Sequence, residues 1–287
     1  MYIKRYINIW WFEITYKMKK TILLTVLVQL MTAVNAQTVV KGNVVNERGE
    51  AVEYVSIGFD EDSVGVISDM KGHFTLTIPA RRNNDLSFTH VSYQDAIVPY
   101  ATYSKGNNLK VVLKNKTVEL AEVVIGKKNK SHTLSGRSLI RMGTVGFSGN
   151  QDGGTEWGPV FKISKDYVLS EILLSVAKCN YKECVLSFNI YELRGKRFIN
   201  IMNKPIYKRV SSADDGKQFS VSPDEYIVLK GDHRYCISVS VVDHQGKGDI
   251  VFPANFKSSY ARNAVKGMMK KLPACPPIIV KGYKMEN

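Results

Sequence analysis

The chain has 287 residues, with 40 lysines and arginines against 26 acidic residues and a net charge of +14. A chain of this size can bury one or two ordinary cores, and a hydrophobic content of 44% excludes a disordered or fibrous protein. The positive charge comes with no basic helix and no aromatic-plus-arginine platform, so nucleic acid is not an expected partner; the excess lysine serves solubility or an anionic surface.

The N-terminal text "MYIKRYINIWWFEITYK" precedes a second methionine, after which it reads "MKKTILLTVLVQLMTAVNAQ". Lys19 and Lys20 form a positive start, Thr21 to Val34 an apolar stretch short for a membrane span, and Val34, Asn35 and Ala36 a cleavage site. This grammar predicts a signal peptide running from Met18 and cut between Ala36 and Gln37, with a misassigned start accounting for the first seventeen residues. The competing reading is an uncleaved anchor from Tyr2, with Trp10, Trp11 and Phe12 at a membrane interface; Glu13, Lys17, Lys19 and Lys20 interrupt that run. No cysteine follows the apolar stretch, which argues against a lipid anchor there. Cutting after Ala36 leaves 35 basic and 25 acidic residues, a net charge of +10.

From residue 37 to about 125 hydrophobic residues alternate in period two, and turn residues interrupt them every eight to twelve positions. That is the pattern of a small β-sandwich. "TVVKGNVV", "EYVSIGF", "VGVIS" and then "SDMKGHFTLTIP" lead on to "DLSFTHVSY", "DAIVPY", "LKVVL" and "ELAEVVI", which complete a set of about seven strands. In "SDMKGHFTLTIP" an acid, a lysine and a histidine fall within five residues, and the arrangement reads as a turn rather than a reactive cluster. Asp69 can bond its own backbone two residues on, Gly72 can take a positive φ, and Phe74, Leu76 and Ile78 then point inward, leaving His73 on the outer face.

These same residues carry a resemblance. Gly42, Val44, Gly49, Val52, Val55, Ser68, Asp69, Gly72, Phe74, Leu76, Leu86, Phe88 and Tyr93 sit where the carboxypeptidase-like regulatory domain, a transthyretin-like sandwich, has its motif positions. Asn46, where that family often has Asp, and Ser92, where Gly commonly precedes Tyr, depart from the pattern. The resemblance runs from Thr38 to Leu113 and implies a non-catalytic accessory module, of the kind fused to peptidases and to TonB-dependent outer-membrane receptors of Gram-negative bacteria. "VELAEVVIG", Val118 to Gly126, is similar to the strand that leads from this domain into the receptor plug. The 161 residues that follow are too few for the receptor's barrel. Together with the signal peptide, the resemblance implies export to the periplasm, the outer membrane or the cell surface.

"GKKNKSHTLSGRSLIRMG" breaks the alternation, and residues 126–142 read as a linker whose basic cluster is solvated or meets acidic headgroups. From residue 143 to 287 the alternation returns in "EILLSVAK", "CVLSFNIYEL", "KPIYKRV", "KQFSVS", "EYIVLK", "RYCISVSVVD", "DIVFP" and "PPIIVKGYKM". Eight such runs predict a jelly-roll-like β-sandwich. The fold class is therefore all-β, a transthyretin-like sandwich followed by a jelly-roll-like one. Tyr260 to Leu272 is the one stretch with helical character, stopped by Pro273, Pro276 and Pro277.

All four cysteines lie in the second half. Cys179 and Cys184 flank "NYKE" between two strands, where they face each other across a hairpin at a separation a disulfide can span; Cys236 and Cys275 remain for a second pair. Zinc is the weaker alternative, since Cys-x4-Cys has no second close pair and the histidines are scattered. In the glycine-rich "GFSGNQDGGTEWG", Asn150, Asp152 and Glu156 can offer oxygens to a structural calcium, although a metal-free loop is the plainer reading.

None of the histidines has the His-x-x-Glu zinc pair, and there is no Gly-x-Ser-x-Gly elbow, phosphate loop or dinucleotide fingerprint. The chain reads as a non-catalytic binding or assembly module engaging a glycan or an envelope protein. A hydrolase with a site dispersed over the second domain's loops, or a structural subunit of an outer-membrane transporter, are the alternatives. Sugar binding needs exposed aromatic faces beside amides and carboxylates, and the candidates are Trp157, Tyr260, Tyr93, Tyr100 and Tyr103, each of which can equally be a packing residue.

Overall fold

A computed structural model describes residues 16–22, 37–60, 62, 64–80, 82–105, 108–116, 130–136, 143–148, 154–262 and 268–286. The protein is built almost wholly of strands. Val40–Leu76 and Asn83–Asn287 form one compact unit; the other comprises Met1–Val39 and Thr77–Arg82. Residues 16–22 form a short helix, and among the described residues no helix is long and apolar enough to cross a membrane. Residues 23–36, with the expected cleavage site after Ala36, lie outside the described residues.

The first sandwich consists of β1 (Thr38–Asn46), β2 (Ser56–Gly58), β3 (Gly65–Ile67), β4 (His73–Ile78), β5 (Leu86–Thr89), β6 (Ala96–Val98) and β7 (Leu109–Leu113). They make a three-stranded sheet in the order β4-β1-β7 and a four-stranded sheet in the order β3-β2-β5-β6. β1 and β7 run parallel, with Gly42 opposite Leu109 and Asn46 opposite Leu113. Strict alternation along β4 buries Phe74, Leu76 and Ile78 and exposes His73, Thr75 and Thr77. Phe74 meets Phe88 of the other sheet edge-on at 5.5 Å, so the two inner faces close on one apolar layer. The expected strand "ELAEVVI" lies outside the described residues.

The turn motifs work as their residues suggest. Asp69 Oδ1 accepts from the backbone N–H groups of Lys71 and His73, both at 2.8 Å, and Gly72 has φ of +75°. Any Cβ at Gly72 would collide with the Val44 carbonyl, so glycine is required twice over. Ser68 is fully buried, its hydroxyl accepting from Val55 N–H at 2.8 Å. At the first turn Asn46 Oδ1 accepts from Arg48 and Glu50 N–H at 3.0 Å each, which shows why Asn can stand where Asp is commoner.

The second sandwich contains β8 (Ser131–Ser135), β9 (Thr144–Ser148), β10 (Glu156–Lys162), β11 (Tyr167–Ser175), β12 (Lys178–Cys179), β13 (Glu183–Arg194), β14 (Arg197–Asn200) and β15 (Ile206–Val210). It continues through β16 (Gln218–Val221), β17 (Val228–Leu229), β18 (Arg234–Gln245), β19 (Asp249–Pro253), β20 (Ser259–Arg262), β21 (Lys270–Leu272) and β22 (Ile279–Lys284). A seven-stranded sheet runs β14-β13-β18-β10-β20-β21 with β15 on β13, a five-stranded sheet runs β16-β11-β22-β8 with β17 on β11, and a three-stranded sheet runs β12-β19-β9. All three contribute to one core, in which Leu186, Phe188 and Ile190 of β13 meet Ile172 and Leu174 of β11 and Ile250 and Phe252 of β19.

Each of the eight expected runs contains a strand. One expectation is corrected: the stretch from Tyr260 to Leu272 is not helical where it is described, because Ser259–Arg262 pairs with β10 and Lys270–Leu272 pairs with Ser259, Tyr260 and Ala261. Ladder hydrogen bonds to a buried neighbour outweigh the helix propensity of Ala, Met and Lys there. Within the expected linker, Ser131–Ser135 forms β8 and pairs with β22.

Candidate functional site

Because Leu186, Phe188 and Ile190 of β13 enter the core, Ser187, Asn189 and Tyr191 between them must lie on the outer face of the seven-stranded sheet. The register then assembles one cross-strand row. Tyr207 pairs with Ser187, Ser187 with Ser240, Ser240 with Glu156, and Glu156 with Arg262. Two serines thus separate a tyrosine from a carboxylate–guanidinium pair, and at about 4.8 Å per strand the gap from Tyr207 to Glu156 is roughly 14 Å. Asn200 joins the same face opposite Tyr191.

These residues line a cleft of about 390 Å³, completed by Tyr54, Thr89, His90, Val91, Asp95 and Lys116 from the first sandwich. Tyr54 packs edge-on against Tyr207 at 5.1 Å, and its hydroxyl donates to Asp243 at 3.2 Å. Its φ of +52° is the left-handed conformation, which a bulky residue holds only where its surroundings impose it. Burial raises the hydroxyl pKa of both tyrosines, so they act as neutral donors at any ordinary pH.

The floor is a polar network under little solvent. Glu156 is 2% exposed. Its Oε2 accepts from Tyr191 Oη and Asn189 Nδ2, each at 3.2 Å, and Asn200 Nδ2 donates to Asn189 Oδ1 at 3.1 Å. Arg262 Nε lies 3.1 Å from Glu156 Oε1, close enough for strong charge pairing but out of line for a hydrogen bond, so both atoms keep unmet hydrogen-bonding capacity. Burial works against the guanidinium charge, yet Glu156 and then Tyr191 outweigh it and raise the Arg262 pKa. Tyr191, buried beside the carboxylate, has its pKa pushed well above the usual phenol value, chiefly by burial.

β10 reaches this position through Gly158, where any Cβ would collide with the Ile237 carbonyl of β18. Close backbone approach of β10 to β18 at that position is open to glycine alone.

Glu156 stands at the start of β10, paired with Arg262, rather than on the glycine-rich loop from which calcium ligation was expected. Asn150 and Asp152 lie outside the described residues, among which no group of three potential ligands is placed to hold a metal. Trp157 points the opposite way from Glu156, packs half-buried against the core, and donates from Nε1 to Ser259 Oγ at 3.3 Å. It does not form a platform in the cleft. Tyr260 lies edge-on to Phe198 at 4.9 Å, and Phe198 lines the cleft. Tyr93 packs on His90 at 5.3 Å. Tyr103 is 1% exposed, with its hydroxyl on Asn84 O, and is a core residue; Tyr100, 41% exposed, stacks edge-on to it at 5.5 Å outside the cleft lining.

All four cysteines are buried free thiols. The sulfurs of Cys179 and Cys184, the pair expected to form a disulfide, lie 4.0 Å apart and are not bonded. Cys236 bonds weakly to Gly158 O and Cys275 to Asn255 O.

Arg262, Asn189, Tyr191, Tyr207, Tyr54 and His90 did not stand out in the sequence as site residues. The available signal was the large polar residues at the outward positions of "CVLSFNIYEL", where a solvated face would more commonly carry lysine or glutamate.

Residues 40–125 match the family model of the CarboxypepD_reg-like domain, in agreement with the motif positions of the first sandwich. Among solved structures, the chain is similar to the cysteine protease and lectin-like domains of Cwp84, a surface layer associated protein of Clostridium difficile, with 10% identity and a TM-score of 0.37 over 77% of this chain and 46% of that one. It therefore spans less than half the length of that protein's chain. It is also similar to a carbohydrate-binding module of the β-sandwich superfamily, with 8% identity and a TM-score of 0.20 over 82% of this chain and 86% of that one. None of the curated proteins compared matches the chain.

Proposed function

We propose that the protein is a non-catalytic binding module that takes a glycan in the cleft over the outer face of the seven-stranded sheet. The observation that carries this reading is the row Tyr207–Ser187–Ser240–Glu156–Arg262. Two small hydroxyl residues lie between an aromatic on one side and a paired carboxylate and guanidinium on the other, the mix of groups that holds a sugar ring. Asn189 and Asn200 add amides, which donate and accept in the directions hydroxyl groups require. Turnover is not expected, since Glu156 is held by Arg262, Tyr191 and Asn189 as an acceptor and is poorly placed to deliver a proton.

The segment from Met18 to Gln37 supports export, and we place the module in the bacterial envelope, at the periplasm or the outer membrane. The test is a glycan-array and envelope-polysaccharide screen of the purified chain beside Arg262→Lys, which keeps the charge and loses the planar fork. Saturable binding that weakens about tenfold in the variant is the expected result. Absence of any saturable glycan binding would overturn the reading and turn attention to a protein partner.

A further inference from the structure

His90 follows β5 and lines the same cleft as Glu156 and Arg262. Its Nδ1 accepts from the Ser92 backbone N–H at 3.2 Å, which fixes the tautomer: Nδ1 carries the lone pair and Nε2 the proton. That Nε2–H is buried and has no hydrogen-bond partner among the described residues. The imidazole is neutral across the physiological range, because burial, and then the charge of Lys116, pushes its pKa down to about 4. The Lys116 ammonium is itself spent on Val91 O at 2.9 Å.

An unpaired buried donor is costly and calls for an explanation. Three of the buried polar atoms without an aligned partner, His90 Nε2, Glu156 Oε1 and Arg262 Nε, belong to residues of this one cleft. The charged residues in its lining are Asp95, Lys116, Glu156 and Arg262, two acids and two bases, so the cleft offers no net charge to an ionic ligand.

We propose that His90 is the hydrogen-bond donor by which the first sandwich enters the glycan site, so that the ligand is a neutral saccharide held between His90 and the Glu156–Arg262 pair. This rests on the glycan reading of the cleft. A small outward shift of the half-buried ring brings Nε2–H onto a hydroxyl, ring or acyl oxygen. A matching displacement of the Arg262 side chain uncovers Arg262 Nε and Glu156 Oε1, both buried in the unliganded cleft, to a second hydroxyl that accepts from one and donates to the other, a double role open to hydroxyl groups and closed to carboxylates. His90 thereby selects for an oxygen acceptor, and the balanced lining selects against uronic acids and phosphorylated sugars.

The experiment is calorimetric titration of the purified chain, His90→Leu and His90→Gln with neutral hexose and N-acetylhexosamine trisaccharides and with uronic acid trisaccharides. The Gln amide restores an N–H near the position of Nε2, whereas Leu fills the same space without a donor. At least one neutral trisaccharide is expected to bind, with its uronic counterpart about tenfold or more weaker. His90→Leu should weaken binding about tenfold, His90→Gln should recover most of the loss, and wild-type affinity should stay flat between about pH 5.5 and 8. If Leu and wild type bind equally, or the uronic ligand binds more tightly, the role of His90 is overturned while the glycan reading stands. If none of these saccharides nor any glycan of the wider screen binds, both fall. Should His90→Leu fail to fold, the neutral-over-uronic preference of the unaltered chain and the Gln variant decide.

Discussion

The sulfurs of Cys179 and Cys184 lie 4.0 Å apart across the turn that joins β12 to β13. Burial raises both thiol pKa values, and at Cys184 the neighbouring Cys179 adds to it. In the reduced protein both are expected to resist alkylation at neutral pH until the chain unfolds. In an oxidising compartment they are expected to pair, closing a short loop and adding about 2 kcal/mol of stability. Thiol titration and mass analysis of protein recovered from the periplasm check this; four retained thiols would show that the pair does not form.

Arg262 is expected to matter for folding as well as for the ligand. Arg262→Ala leaves the Glu156 carboxylate buried without its counter-charge and should cost about 3–5 kcal/mol. The double change Glu156→Gln with Arg262→Met removes both charges and should cost less than half as much. Urea unfolding of the single and double variants at neutral pH measures the difference. Equal losses would mean that the pair is not coupled.

The depressed pKa of His90 makes stability depend on pH in a defined window. Above about pH 6.5 the imidazole is neutral in both folded and unfolded chains, so the full stability is present. As pH falls from there toward about 4, the unfolded chain takes up a proton that the folded one refuses, and stability is lost. The loss amounts to about 3 kcal/mol from this one group, and His90→Gln should remove that part of the slope. Denaturant midpoints of wild type and variant across the window provide the test; parallel curves would refute it.

Trp157→Ala should act on the core and leave the ligand in place. The indole packs against the second core and donates to Ser259 Oγ, so its removal should cost about 3 kcal/mol of stability. At a temperature where the variant stays folded its affinity for glycan should match wild type. Selective loss of affinity at unchanged stability would return Trp157 to the site.

The sequence reads most clearly where a local rule has a single structural solution. Asp69 and Gly72 define a turn by their own hydrogen bond and backbone angle, and the alternation of Phe74, Leu76 and Ile78 assigns a face, so the first sandwich is legible residue by residue. Its neighbour is legible as strands, since each apolar run contains one. The cleft is hidden because its row draws Tyr207, Ser187, Ser240, Glu156 and Arg262 from five strands, and only the register brings them side by side. Trp157 misled because a rare aromatic beside glycines resembles an exposed platform, whereas the pleat turns it inward and turns Glu156 outward. Arg262 was masked by a stretch with good helix formers, whose pairing with β10 overrides their propensity.

The parallel pairing of β1 with β7 has a mechanical consequence. Among the described strands of the first sandwich β1 is the first and β7 the last, and the two lie side by side in the same direction from Gly42–Leu109 to Asn46–Leu113. Tension applied through the flanking chain therefore slides the strands lengthwise past each other, and their ladder bonds bear the load together instead of opening one after another. Pulled at its two ends, this pair would resist in shear rather than by peeling.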